Sequence, residues 1–414
     1  MSAILFTNAA LFDGLGPELL PGSQVLVADG VIQAVSDKAL TPPADCDVVD
    51  LGGRTLMPGL IDAHVHIWCT DLDILKLVTR RSEYLAAFAY RSLKAMLDRG
   101  FTTVRDAGGT DVGYVQALRD GLAVGPRLLH AGRMLSQTGG HGDFRPPGAF
   151  SGACACELRG GGAERFAWVV DSPDAVRKAV REELRLGAHQ IKIMGSGGVA
   201  SPSDPIDRMQ FSDAEILAAV EEADRHGAYV MAHCHPARAV QRCAELGVRS
   251  IEHATLIDQD AADAVLAKGA FVVPTLATIW ALLEDGAALG LPIESQVKLQ
   301  QVSGGVLQGL QVMRRTGLKV GFGTDLLGSQ QDRQGTEFGL RAQVFEPIEI
   351  LRQVTTTNAE LLCMADGIGR VAPGYAADLI AVDGDPLADI TCLGQGGANV
   401  PVILQAGKFH KRTL

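Results

Sequence analysis

Between about residues 58 and 366 the chain repeats one pattern eight times: a short apolar run of strand character followed by a helical stretch. The runs, in order, are GLIDAHVHI, TTVRDAGG, PRLLHAG, QIKIMGSGG, AYVMAHCH, SIEHAT, FVVPTLA and KVGFGTDL. Unbroken apolar bodies suit strands covered on both faces. The intervening helices carry their own start signals. Ser212 with Glu215 three residues later reads as a capping box, and Ser172 precedes Pro173 at a first helical position. In that second helix Val176, Val180 and Leu184 recur at helical spacing. Eight such units predict an α/β fold, a TIM (β/α)8 barrel spanning 58–366.

The two ends read differently. Residues 1–57 break into short strands, AILFTNAALFDG, SQVLVADGVIQAVS and CDVVDLGGRTLMPG, and residues 367–414 do the same with GRVAPGYAADLIAVDGD and PVILQAGKFHK. Each end is too small for a core of its own, so the two are expected to pair into one small β-sandwich domain, 1–57 plus 367–414, joined to the barrel near Pro58 and Gly367.

Composition narrows the function classes. Of 414 residues, 47% are hydrophobic and 21% charged, far too apolar for a disordered chain. Lys plus Arg number 37 against 48 Asp plus Glu, a formal charge of -11 with no basic run, so nucleic acid and anionic membrane surfaces are poor partners. Eight cysteines show no C-x-x-C pair, which argues against a disulfide scaffold and for a reducing compartment. No apolar stretch reaches the length of a membrane span, and the opening residues lack the basic and apolar regions of a signal peptide. A cytoplasmic small-molecule enzyme is the expectation, with a periplasmic or secreted location as the alternative for a chain whose leader has been removed.

In a barrel of this kind, active sites sit at the C-terminal strand ends. The first run ends in His64 and His66, the fourth carries Lys192, the fifth His233, the sixth His253 and the eighth Asp325. Alternate residues of a strand share a face, so His64 and His66 are expected to point into the barrel together. A lone buried histidine is usually a hydrogen-bonded core residue, a buried lysine an ion-pair partner, and Asp325 has the alternative of capping the following segment. Four imidazoles, a carboxylate and a lysine around one axis are costly without a cation among them. Asp106 also ends a strand, but a salt bridge with its neighbour Arg105 or a turn explains it and leaves it out of the site.

These motifs in this order, PGLIDAHVH, QIKIMGSGG, AHCH, SIEHAT and GFGTD, with PGYAADLIAVDGDP near the end, resemble the amidohydrolase superfamily over nearly the whole chain. The resemblance implies two divalent metal ions, zinc by preference, since imidazole and carboxylate donors suit it. It implies His64, His66 and Asp325 as ligands of the more buried ion and His233 and His253 as ligands of the other. It further implies that Lys192 is carboxylated by carbon dioxide to N6-carboxylysine and bridges the two. Such a pair of ions lowers the pKa of a bridging water and polarises a carbonyl. Asp325 is then placed to shuttle a proton to the departing nitrogen.

Substrate contacts are read from the loops. QTGGHGDFRPPG after the third run places His141 over the expected mouth, where relatives are similar in using a histidine to polarise or contact the substrate. His235, two residues beyond His233, reads as a substrate contact. Arg208 and, second to it, Arg145 are the candidates for a substrate carboxylate. The subgroup most similar cleaves Xaa-Pro dipeptides, acts as a carboxypeptidase on dipeptides and N-acyl amino acids, or opens the amide of ochratoxin A. Hydrolysis of such an amide is the leading expectation, in a homo-oligomer as in related enzymes. A cyclic-amide hydrolase or deaminase of the imidazolonepropionase type is the runner-up, with Lys192 against it. A non-catalytic assembly protein keeping the barrel is the third reading.

Overall fold

The computed structural model describes residues 3–145, 162–201 and 204–414. Cys154, Cys156 and the PPG of the loop after the third run lie outside the described residues; the remaining cysteines are free thiols.

Five strands open the chain: β1 (Ile4–Leu11), β2 (Leu20–Ala28), β3 (Val31–Ser36), β4 (Asp47–Asp50) and β5 (Thr55–Pro58). Ten follow in the central region: β6 (Leu60–Val65), β7 (Phe101–Asp106), β8 (Arg127–His130), β9 (Met134–Ser136), β10 (Ala167–Val169), β11 (Gln190–Met194), β12 (Tyr229–Pro236), β13 (Ser250–Leu256), β14 (Phe271–Val273) and β15 (Lys319–Val320). Three close it: β16 (Leu379–Val382), β17 (Val402–Gln405) and β18 (Lys408–Arg412).

Both ends join in one sheet, ordered β18-β17-β16-β5-β1-β2-β3, with β4 also paired to β1. Strand β5 is the hinge of that order, parallel to β1 and antiparallel to β16. Its apolar face has a separate core in which Phe6, Leu11 and Val25 from one end meet Leu379 and Leu404 from the other. Residues too few to bury a core at either terminus do so together.

All eight expected central runs contain a strand, and every pairing among them is parallel. They form a three-stranded sheet, β6-β7-β8, and a seven-stranded sheet, β10-β9-β11-β12-β13-β14-β15, to which β9 and β10 are additions. Backbone hydrogen bonds cross both seams. Ala63 N donates to Phe322 O at 2.8 Å, and His189 N donates to His130 O at 2.9 Å. The eighth run keeps strand pairing only over Lys319–Val320, and beyond it the chain passes close to β6. A Cβ at Gly323 would stand 2.8 Å from the His64 Cβ and 2.6 Å from a Val273 methyl, so only glycine fits there.

The helices cover this sheet as their patterns require. The helix Pro173–Arg185 is capped by Ser172, whose side chain accepts from Ala175 N, and buries Val176, Ala179 and Val180. Helix Asp213–Arg225 starts in the expected Ser212–Glu215 capping box. Each fully buried aliphatic side chain in these faces contributes about 1.5–3 kcal/mol of transfer free energy. That leaves the strand ends free to carry polar groups. Among the described residues no helix is long and apolar enough to cross a membrane.

Candidate metal centre and active site

β6 delivers its two histidines to one carboxylate. His64 Nε2 lies 3.4 Å and His66 Nε2 3.3 Å from Asp325 Oδ1. The far ring nitrogens are held from behind: His64 Nδ1 donates to Glu252 Oε2 at 2.7 Å, and His66 Nδ1 hydrogen-bonds Gly108 O at 3.2 Å. His64, His253 and Asp325 offer ligand atoms that all lie within 4.8 Å of one another. His233 follows at 4.6 Å from His253 between ring centroids. Lys192, only 2% exposed, lines the same cavity with His66, His233, His253 and Asp325. The six side chains expected around one axis are thus brought together at the ends of four strands and the segment after β15.

Two of these positions depend on strained backbone. Asp325 has φ 54°, and its amide donates to His64 O at 2.8 Å, which seats the carboxylate over β6. In β13, Glu252 and His253 are consecutive and alternation would send them to opposite faces. His253 instead adopts φ 69° and Ala254 φ 47°, and both Glu252 and His253 reach His64. Left-handed non-glycine residues of this kind cost of order 1–3 kcal/mol each and cluster at functional sites.

Electrostatics favour cation-binding forms at four of the histidines, while at His64 burial acts to lower the ring but Asp325 and Glu252 outweigh it and raise it. Burial lowers His66 and His235 to about 3, and drives His233 and His253 well below their ordinary value, so all four imidazoles present a lone pair. Burial also lowers the Lys192 ammonium, which favours the neutral amine. For Asp325, burial acts to raise the carboxyl, but His64, His66 and Lys192 outweigh it and hold it below the usual range. His64 Nε2 is buried without a hydrogen-bond partner while it faces that carboxylate. An orphaned imidazole nitrogen beside a carboxylate and three further imidazoles is a donor set that suits a divalent ion of the zinc type.

The ligand histidines are backed by groups the sequence did not single out. Glu252 is fully buried and also takes two hydrogen bonds from Arg105, at 3.0 and 3.1 Å. Of the two explanations for Asp106, the salt bridge to Arg105 is therefore not what forms, and a turn is. Asp106 accepts instead from the amides of Ile67 and Gly108, each at 3.0 Å, and burial pushes its carboxyl up to about 7. No motif marks Glu252; its only signal is an acid directly before His253, which strand alternation argues away.

The substrate candidates divide. His141 is buried at the cavity, stacked on His233 at 4.3 Å, with Nδ1 on Asp204 at 3.1 Å. His235 lines the cavity as well and hydrogen-bonds Thr255 through Nδ1 at 2.8 Å. Arg208 is not brought to the site: its side chain is 73% exposed and its partner is Asp207. Arg145 turns back onto Asp143. Arg208 thus keeps its charge in water, whereas the charge of Arg145, 28% exposed, is met by Asp143. Among the described residues no arginine lines the cavity, whose walls are Trp68, Ile74, Phe144, Val199, Ile279, Leu282 and Leu299.

Comparison with known proteins agrees with this geometry. The profile of the amidohydrolase family matches residues 55–408. An ochratoxinase from Aspergillus niger is 31% identical over 406 residues, covering 95% of this chain and 84% of that protein. A solved prolidase complexed with N-methylphosphonate-L-proline is 43% identical with a TM-score of 0.95, covering 99% of this chain and 100% of that one. A Xaa-Pro dipeptidase with bound methionine in its active site is 27% identical with a TM-score of 0.89, covering 99% and 100%.

Proposed function

Because this chain belongs to the amidohydrolase family, we propose that it is a metal-dependent hydrolase of amide or peptide bonds whose substrates are N-acyl amino acids or dipeptides. The similarity to a prolidase, a Xaa-Pro dipeptidase and an ochratoxinase supports that substrate class, with ochratoxin A included in it. The observation that carries the reading is the convergence of His64, His66, Lys192, His233, His253 and Asp325 on one cavity edge. We take the two central sheets as walls of one (β/α)8 barrel over 58–366, with 1–57 and 367–414 as the β-sandwich domain.

His64, His66 and Asp325 would hold one divalent ion and His233 and His253 a second, with Lys192, as N6-carboxylysine, as the ligand common to both. Zinc ions so held acidify water and polarise a carbonyl. The Asp325 carboxylate, kept ionised by its histidines, takes the proton released when water adds to the amide carbon and returns it to the nitrogen as the C–N bond breaks. A carboxylate and an amine leave. With Nδ1 committed to Asp204, His141 has Nε2 left for the substrate carbonyl, and His235 offers its own free nitrogen beside it. The apolar wall receives the substituents and excludes water.

Purified protein should contain about two equivalents of zinc per chain and cleave X-Pro dipeptides or N-acyl amino acids in a panel that also holds cyclic amides. About one equivalent with turnover confined to cyclic amides would replace this reading by the imidazolonepropionase-like one, a type with which the chain shares 26% identity through the enzyme of Deinococcus radiodurans. No metal and no turnover in a folded protein would leave the non-catalytic reading.

A further inference from the structure

His141 comes from the loop after β9, yet it is held by a network of residues distant in sequence. Its Nδ1–H donates to Asp204 Oδ2 at 3.1 Å, and its backbone amide donates to Gln210 Oε1 at 2.9 Å. The same Asp204 oxygen accepts from Gly198 N at 3.0 Å. Asp204 is 3% exposed, so its charge has been withdrawn from water and must be matched locally. Lys298 supplies the cation. It projects from the helix Ile293–Ser303, about a hundred residues further along, and is itself 8% exposed. Its Nζ donates to Gly198 O at 3.0 Å, Ser201 O at 2.5 Å and Asp204 O, and stands 3.7 Å from Asp204 Oδ1. All three ammonium donors thus meet backbone carbonyls of one loop, which is a fixed geometry rather than a solvated charge.

The placement has a direct chemical consequence. A carboxylate on Nδ1 fixes which imidazole nitrogen carries the proton and which way the ring faces. Val199 and Ala200, next to Gly198, belong to the cavity wall, and so does Leu299, next to Lys298. We propose that Asp204 is a positioning residue for His141, and that Lys298 ties the backbone at Gly198, Ser201 and Asp204 to the helix Ile293–Ser303 so that His141 meets the substrate in one tautomer and orientation. This rests on the hydrolase reading for its kinetic half only.

The test is a double-mutant cycle with a substrate-free readout beside it. In 15N-histidine spectra of the metal-loaded enzyme, the His141 signal, assigned by its loss in His141→Ala, should report a proton on Nδ1, and Asp204→Ala should shift it while zinc content stays at the wild-type value. With an N-acyl amino acid as substrate, Asp204→Ala should lower kcat by about 10–100-fold, and Lys298→Met should lower it in the same direction. In a His141→Ala background both substitutions should change kcat by less than about twofold. Equal losses in both backgrounds, or loss of zinc with Asp204→Ala, overturns the proposal. If an Asp204→Ala chain does not fold, Asp204→Asn takes its place, and an unshifted His141 signal there overturns it equally. Wild-type protein without amidase activity refutes the hydrolase reading, while the spectra still decide whether Asp204 sets His141.

Discussion

Glu252 Oε2 lies 2.7 Å from His64 Nδ1, and both side chains are fully buried. Arg105 closes the arrangement from the other side at 3.0 Å. A carboxylate behind a ligand imidazole fixes its tautomer and raises its basicity. Glu252→Gln, nearly the same in shape, should therefore weaken metal retention by about 10–100-fold, read as the chelator concentration at which zinc leaves the protein. Unchanged retention would remove Glu252 from the site.

Asp325 is the group placed to move a proton, and against burial His64, followed by His66 and Lys192, holds its carboxyl below the usual range. Asp325→Asn keeps an oxygen toward the histidines but has no base to offer. Turnover should fall by about 10²–10⁴-fold with zinc content reduced at most in part. Full activity in this variant would exclude the shuttle.

Lys192→Ala removes a buried amine that nothing else in the cavity replaces. Activity should be lost and then partly restored by millimolar-scale small carboxylic acids, since an anion of that size fits the space left by a carboxylated side chain. Unaltered turnover and metal content would end the bridging assignment.

Gly198 sits where a Cβ would stand 2.5 Å from the Nε2 atoms of both His141 and His233. Gly198→Ala must push these stacked rings apart. A displacement near 1 Å costs about 10²-fold in rate, so kcat/KM should drop while the melting temperature moves little. Wild-type kinetics would mean that the loop yields without disturbing either ring.

Glu222 tests the surrounding helices. Hydrogen bonds from Arg181, with help from Arg225, hold its carboxyl at about 2. A lowered carboxyl stabilises the fold in full above the ordinary value of 4.5 and loses that contribution as the pH falls through the native value. The melting-temperature gap between wild type and Glu222→Gln should thus be greatest near neutrality and shrink as the pH is taken from about 5 toward 2. A gap constant over that range would show that the pairs do not persist in solution.

Much of the candidate site was legible because several polar residues that would each have a structural use alone end successive apolar strands together. His64 and His66 obeyed strand alternation, and Lys192 stood alone in an apolar run. Glu252 escaped for the opposite reason: the positive φ at His253 breaks the alternation by which Glu252 would be assigned to the far face. Arg208 is a candidate for a substrate carboxylate by residue type alone, but an arginine beside Asp207 is satisfied in solvent and has no need to enter an apolar cavity. Strands β9 and β10 are three residues each, too short for periodicity to register. Asp204 and Lys298 meet across about a hundred residues, and no local pattern reports such a contact.

Strand β5 has β1 on one side and β16 on the other, and roughly three hundred residues separate it from β16. At about 5–20 residues per second of synthesis, the amino-terminal strands leave the ribosome tens of seconds before their last neighbours exist. Until then the edge of β5 is open and apolar, a template for another nascent chain. Trimming β16–β18 would make that exposure permanent, so the last three strands act as the clasp over an edge that β5 otherwise leaves open.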